Sequence, residues 1–157
     1  MTIKSGIPLA LLCIALACAY STGQSQDQSV QRKDVPPKVL EAFQTSYPRA
    51  AIKGYSKEIV HDTVSYEIES VEGKIRRDIT YRADGSLVVI EESIPFVDLP
   101  EPVRSAIAKG YPKAKVNQCE KIIEGSTTQF EVQLASGKEK LEVVYNADGA
   151  VVRKEKK

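Results

Sequence analysis

Little in this sequence suits chemistry on a substrate. Among its 157 residues there is one histidine, His61, beside Asp62 in a stretch read as a turn. A nucleophile, a base and an orienting group must lie within hydrogen-bond reach of one another, and no such set can be nominated around it. Metal ligation needs several Cys, His or carboxylate groups at fixed spacing, and no such cluster is present. The glycines punctuate turns and form no phosphate-cradling loop. Charge of one sign is also missing: 22 basic residues face 21 acidic ones, a net charge of +1. Such a balance gives no global attraction for nucleic acid or an anionic membrane, and the basic end, Arg153 to Lys157, is read as a solvated strand end. No apolar run is long enough to span a bilayer comfortably. The expectation is a protein that is not an enzyme and that uses no cofactor and no metal.

What is present begins with an address. Residues 1–19 are read as a signal peptide: Lys4 and the amino terminus supply positive charge, Ile7 to Ala17 is a short apolar run, and small residues follow. Ala17-Cys18-Ala19 offers small residues for cleavage before Tyr20. Ala15-Leu16-Ala17-Cys18 also resembles a bacterial lipobox, with the Leu and the small residue in reversed places. Plain export is therefore the expectation, and lipidation at Cys18 the alternative. Cleavage after Cys18 leaves Cys119 as the one thiol, so no intramolecular disulfide can form. Cys119 itself is read as a small buried hydrophobe. Residues 20–33, rich in Gln and Ser, are read as a flexible spacer, since they hold too little apolar surface to offset the entropy of ordering.

The rest of the chain is written twice. Asp34-Val35-Pro36 returns as Asp98-Leu99-Pro100, Tyr47-Pro48-Arg49-Ala50 as Tyr111-Pro112-Lys113-Ala114, and Tyr81 to Gly85 as Tyr145 to Gly149. The second member of every pair lies 64 positions on, so the copies align without a gap, and an internal repeat decides architecture before anything else. The expected units are 34–97 and 98–157, each small enough to be marginal alone. Each opens with a helix, started by Asp and Pro and stopped by Pro48 or Pro112. Val39, Ala42, Phe43 and Tyr47 share one stripe, as do Val103, Ala106, Ile107 and Tyr111. Alternation then marks antiparallel strands: Val64, Tyr66 and Ile68 against polar neighbours, and Phe130, Val132 and Leu134 likewise. Arg77 breaks the apolar stripe Ile75-Arg77-Ile79-Tyr81 and is placed near an edge, with its head in water. Asp84-Gly85 and Asp148-Gly149 are read as two-residue hairpin turns pairing Tyr81 with Val88 and Tyr145 with Val152. The class is α+β: two tandem helix-plus-antiparallel-sheet repeats, αβββ or αββββ, with the helices on one face.

The opposite, polar face is the best place for a partner. It carries Glu67, Glu69, Arg76, Asp78 and Arg82 in the first copy, and Glu131, Gln133, Lys140, Glu142 and Asn146 in the second. Any one of these residues reads first as solvated exterior; together they form a broad surface on two sheets side by side.

The repeated motifs carry a resemblance. Val35-Pro36, Tyr47-Pro48-Arg49-Ala50, Tyr66-Glu67-Ile68 and Tyr81 to Gly85, with their twins, resemble the PepSY-like, β-lactamase-inhibitor-like domains of exported bacterial proteins. These motifs are caps, turns and core positions, so they speak to fold far more than to function. The resemblance implies tandem units with helices on one face of an antiparallel sheet and a binding or inhibitory role outside the cytoplasm. The expectation is an exported, non-catalytic module, periplasmic or secreted, that recognises or inhibits an unidentified protein or peptide in the envelope. The alternatives are a structural envelope lipoprotein and a hydrolase using carboxylates such as Glu67 and Glu131.

Overall fold

The computed structural model describes residues 26–60 and 63–157. The expected signal peptide, Cys18 and His61 lie outside the described residues.

Each helix follows the punctuation of the sequence. Helix α1 (Pro37–Ser46) and helix α2 (Glu101–Gly110) each begin directly after a proline, Pro36 or Pro100. Both end where the backbone N–H of Tyr47 or Tyr111 donates to the carbonyl of Phe43 or Ile107, ahead of Pro48 and Pro112. Asp34 does not cap α1. It ends a 3-10 turn, Arg32–Asp34, and its carboxylate accepts the Gln31 N–H at 3.3 Å. Asp98 ends the matching turn, Phe96–Asp98. The turns place Val35 and Leu99, 3% and 2% exposed, beneath the helices.

Nine strands form one antiparallel sheet in sequence order: β1 (Gln26–Ser29), β2 (Ala51–Val60), β3 (Thr63–Glu72), β4 (Ile75–Arg82), β5 (Leu87–Ser93), β6 (Lys115–Glu124), β7 (Thr127–Ser136), β8 (Glu139–Asn146) and β9 (Val151–Lys156). Four strands thus follow each helix. The two expected sheets are one, because β5 pairs with β6 from Val89↔Glu124 to Ser93↔Glu120. The spacer expected over 20–33 is also partly ordered, since β1 pairs with β2 from Gln26↔Ile59 to Ser29↔Ser56. Ladder hydrogen bonds come from the backbone, so a segment poor in apolar residues can still extend a sheet at its edge.

Both helices lie on the same face. The register runs Ile68↔Ile79↔Ile90↔Ile123↔Thr128, so these five residues share a side across both repeats. On that side Val39 and Phe43 of α1 pack with Val35, Ile68, Ile79 and Tyr81. Val103 and Ile107 of α2 pack with Cys119, Phe130, Val132, Leu134, Leu141, Val143 and Tyr145. Cys119 is indeed a buried hydrophobe, and burial pushes its thiol up to about 11. Arg77 is not at an edge. It sits on β4 inside the sheet, donates to Glu92 at 2.6 Å and Glu72 at 3.3 Å, and lies over the Tyr47 ring at 5.1 Å. Two acids and a π-face supply what water would otherwise have to.

The closing hairpins have three-residue loops. Arg82 N–H donates to Ser86 O and Gly85 N–H to Arg82 O, so Tyr81 pairs with Leu87 and Tyr145 with Val151. A turn followed by a glycine bulge makes this connection. The Asp84 carboxylate steadies it by accepting the Ser86 N–H at 2.9 Å. Gly85 and Gly149 have φ of 86° and 85°. A Cβ there would stand 2.8 Å from Lys38 O or 2.6 Å from Pro102 O. Each hairpin tip therefore rests on the first turn of its own helix.

Candidate functional site

Strand alternation sends every second side chain to the face that neither helix covers. Glu67 and Glu69 on β3, Asp78 on β4, Glu91 on β5, Glu120 on β6, Glu131 on β7 and Glu142 on β8 all point to this side. The register sets Glu69 opposite Asp78, Asp78 opposite Glu91, and Glu120 opposite Glu131. Seven carboxylates from six strands thus share one surface, drawn from both repeats.

This surface is not the solvated exterior expected of it. Glu131 and Glu142 are 2% and 3% exposed, and Glu91 and Glu120 are each 8% exposed. Glu67, Glu69, Asp78 and Gln133 are half-buried, whereas Arg76, Arg82 and Lys140 are exposed. Among the acids lies a small apolar cluster, Val89, Ile122 and Val144 with Val88 against it. That cluster joins the repeats, since Val89 belongs to the first and the other two to the second. Each of these buried acids stands on a strand flanked on both sides by other strands of the sheet.

Cations of β4 and the C-terminal strand meet several of these acids. Arg153 on β9 reaches Glu142 at 3.4 Å, Glu155 at 3.6 Å and Glu131 at 3.7 Å, and Lys157 reaches Glu142 at 3.0 Å. Arg76 stands 3.9 Å from Glu120, which also accepts from Gln118 at 2.6 Å. Burial raises Glu120, and Gln118 and Arg76 only partly oppose it. Glu131 is pushed up to about 8 by burial, then by Glu142 and Glu120, against the weaker pull of Gln133 and Arg153. One of its oxygens, Oε2, is buried without a hydrogen bond. Asp78 rises to about 6, from burial and then from Glu120 and Glu69, with Arg76 opposing. Glu91 rises to about 9, from burial and then from Glu120, Glu131, Glu67 and Asp78. No described group opposes that rise.

Of the residues nominated from sequence, the fold gathers Glu67, Glu69, Asp78, Glu131 and Glu142 into this cluster and leaves Arg82 and Lys140 at its exposed margins. Glu91, Glu120 and Arg153 were missed. Glu91 sits in Leu87-Val88-Val89-Ile90-Glu91-Glu92, whose alternation is weak, and its inward place depends on β6 covering its strand. A carboxylate pair for hydrolysis does not form from Glu67 and Glu131. They stand on β3 and β7, four strand steps apart, or roughly 19 Å of sheet width at ~4.8 Å per step. Paired glycosidase carboxylates sit about 5–9.5 Å apart. Among the described residues no group of three or more His, Cys, Asp or Glu is arranged to hold a metal ion.

The family model described as "Putative beta-lactamase-inhibitor-like, PepSY-like" matches residues 22–88 and 64–153. No curated protein matches the chain. Among solved structures, a "putative periplasmic" protein from Bacteroides eggerthii is 18% identical, with a TM-score of 0.69 over 78% of this chain and 88% of that one. A DUF2874 family protein from Bacteroides ovatus is 16% identical, with a TM-score of 0.63 over 78% and 89%. A BLIP-like protein from Bacteroides fragilis is 20% identical, with a TM-score of 0.61 over 77% and 86%. At such identities the likeness is one of fold, and no catalytic family is indicated.

Proposed function

The chain belongs to the beta-lactamase-inhibitor-like, PepSY-like family, and from that premise we propose that it is an exported, non-catalytic module that recognises a protein or peptide of the cell envelope through the face of its sheet opposite α1 and α2. One observation carries this: seven carboxylates converge on a continuous face built from both repeats, and neither helix packs there. Maintaining so much acid in a poorly hydrated setting costs stability, a cost that a soluble exterior has no need to bear. Export is supported by the signal-like segment 1–19 and by the similarity in fold to a protein described as periplasmic. The similarity to a BLIP-like protein makes inhibition of an envelope enzyme one form the recognition can take.

The test is kinetic. Arg76→Glu with Lys140→Glu reverses two exposed charges on the margins of the face; because Arg76 also meets the buried Glu120, thermal unfolding of the variant is measured alongside to show that it stays folded. Rim charges govern association and its salt dependence more than dissociation. With a partner purified from envelope extract, the double variant is expected to associate more slowly than wild type, most clearly at low salt. Wild-type kinetics at low salt would move the site to the helices or loops. Intact mass of protein from the native host checks the address, and a diacylglycerol on Cys18 would favour the structural lipoprotein instead.

A further inference from the structure

The two repeats differ at one place that bears on what the face binds. In the second repeat Arg153 is ringed by three carboxylates, Glu131, Glu142 and Glu155, at 3.4–3.7 Å. Their first-repeat counterparts, 64 positions earlier, are Glu67, Asp78 and Glu91. All three acids are kept. The residue standing in Arg153's own position is Val89, at an equivalent register: Val89 pairs with Thr80 as Arg153 pairs with Val144. The first repeat has therefore retained the carboxylates of a guanidinium seat while its own strand supplies a valine.

Among the acids left there, Glu91 is the one the proposal turns on. Glu91 is 8% exposed and has neither a hydrogen bond nor an ion pair with any described residue. Glu120 adds a further carboxylate, on the adjoining strand. Arg76 is directed to Glu120 at 3.9 Å, and its side chain is 45% exposed. A buried acid with no counter-charge is costly unless it is kept protonated or meets a cation.

We propose that the Glu91–Asp78–Glu67 end of the face binds an arginine side chain presented by another polypeptide, with Glu91 as its principal contact and the seat of Arg153 as its template. This rests on the face being the recognition surface. A guanidinium fits better than an ammonium, because its planar fork can bridge several carboxylates at once, as Arg153 does. Binding is coupled to proton release, because Glu91, protonated at neutral pH, must ionise to pair with the cation. The charged groups acting on it are Glu67 on β3, Asp78 on β4, Glu120 on β6 and Glu131 on β7, with Arg76 on β4 directed to Glu120. All four are acids, so affinity should increase as pH rises from 6 to 9.

The experiment uses the whole mature chain and a labelled tetra-arginine peptide, with tetra-citrulline as the neutral isostere and tetra-lysine as the ammonium arm. Wild type is expected to bind tetra-arginine most tightly at pH 8–9. Glu91→Gln, which keeps shape and removes charge, should weaken binding by about tenfold or more, while Glu155→Gln, the same change in the second repeat, should leave it nearly unaltered. The idea is overturned if tetra-arginine fails to bind at about millimolar concentration, if Glu91→Gln binds like wild type, or if citrulline or lysine binds as tightly as arginine. The probe needs no native partner. A negative result here with slowed association in the Arg76→Glu, Lys140→Glu variant rejects the arginine and keeps the recognition face; wild-type association kinetics in that variant reject the face itself.

Discussion

Glu91 and Glu155 occupy the same position in two copies of one pattern, yet they live in different solvents. Glu155 lies on β9, at the sheet edge, with its side chain 46% exposed and an arginine 3.6 Å away. Glu91 lies on β5, which is flanked by β4 and β6, and it meets no cation among the described residues. Arg77 and Leu141 make the same point on the helix side. Leu141 is core in the second repeat, and Arg77 takes its place in the first only because Glu72, Glu92 and the Tyr47 ring surround it. Even the cation over the repeat-equivalent tyrosine changes source, from Arg77 over Tyr47 to Lys154 over Tyr111. A repeat copies local structure, but position in the assembled sheet assigns burial.

The comparison can be broken most severely by separating the repeats. Residues 94–157 retain their own core around Val103, Val132 and Tyr145, but they lose β5, Val89 and the cover over Ile122. A newly open β6 edge is a template for association. The isolated second repeat is expected to unfold at a much lower denaturant concentration than residues 26–157 and to self-associate. Equal midpoints with a monomeric fragment would mean that the two cores are independent.

The next effect concerns pH, and its sign follows from the raised carboxyl groups of the face. Asp78, Glu131 and Glu91 stand at about 6, 8 and 9 in the folded chain, against ordinary carboxyl values near ~4 when unfolded. The folded state therefore holds protons that the unfolded state has released, and stability must fall as pH rises through this range. Thermal unfolding should occur at higher temperature at pH 5 than at pH 9. Glu91→Gln should flatten that slope and Glu155→Gln should not. A slope equal in the two variants would erase the distinction between centre and edge.

The smallest expected effect tests where the repeats agree. Gly85→Ala and Gly149→Ala should each cost at least about 1–2 kcal/mol from left-handed geometry, and more from the approach of Lys38 O and Pro102 O. Gly73→Ala, with φ of 63° but open space around it, isolates the conformational part. If all three shift the urea midpoint equally, the hairpin tips do not press on the helices.

Much of the architecture was legible because it is written in local chemistry. Pro36 and Pro100 start helices, Pro48 and Pro112 stop them, and Ile68 or Val132 amid polar neighbours marks a strand with one buried side. Glu67, Glu69, Asp78, Glu131 and Glu142 could be assigned to a shared face by counting in twos. Whether that face is wet could not be counted, and neither could the roles of Glu91, Glu120 and Arg153. The hairpin register was misjudged by one residue, because Asp-Gly suits both a two-residue turn and a three-residue loop with a glycine bulge.

By itself, then, the sequence determined the repeat, its helices, its alternation and its turns, since each depends on residues a few places apart. Only the tertiary structure decided that β5 joins β6, because that pairing brings together strands separated by an entire helix and its lead-in. From it follow the single sheet, the apolar bridge of Val89, Ile122 and Val144, and the burial of Glu91 among other acids. A carboxylate's charge state depends on which strands lie beside it, and neighbours across a sheet are set by how the whole chain closes.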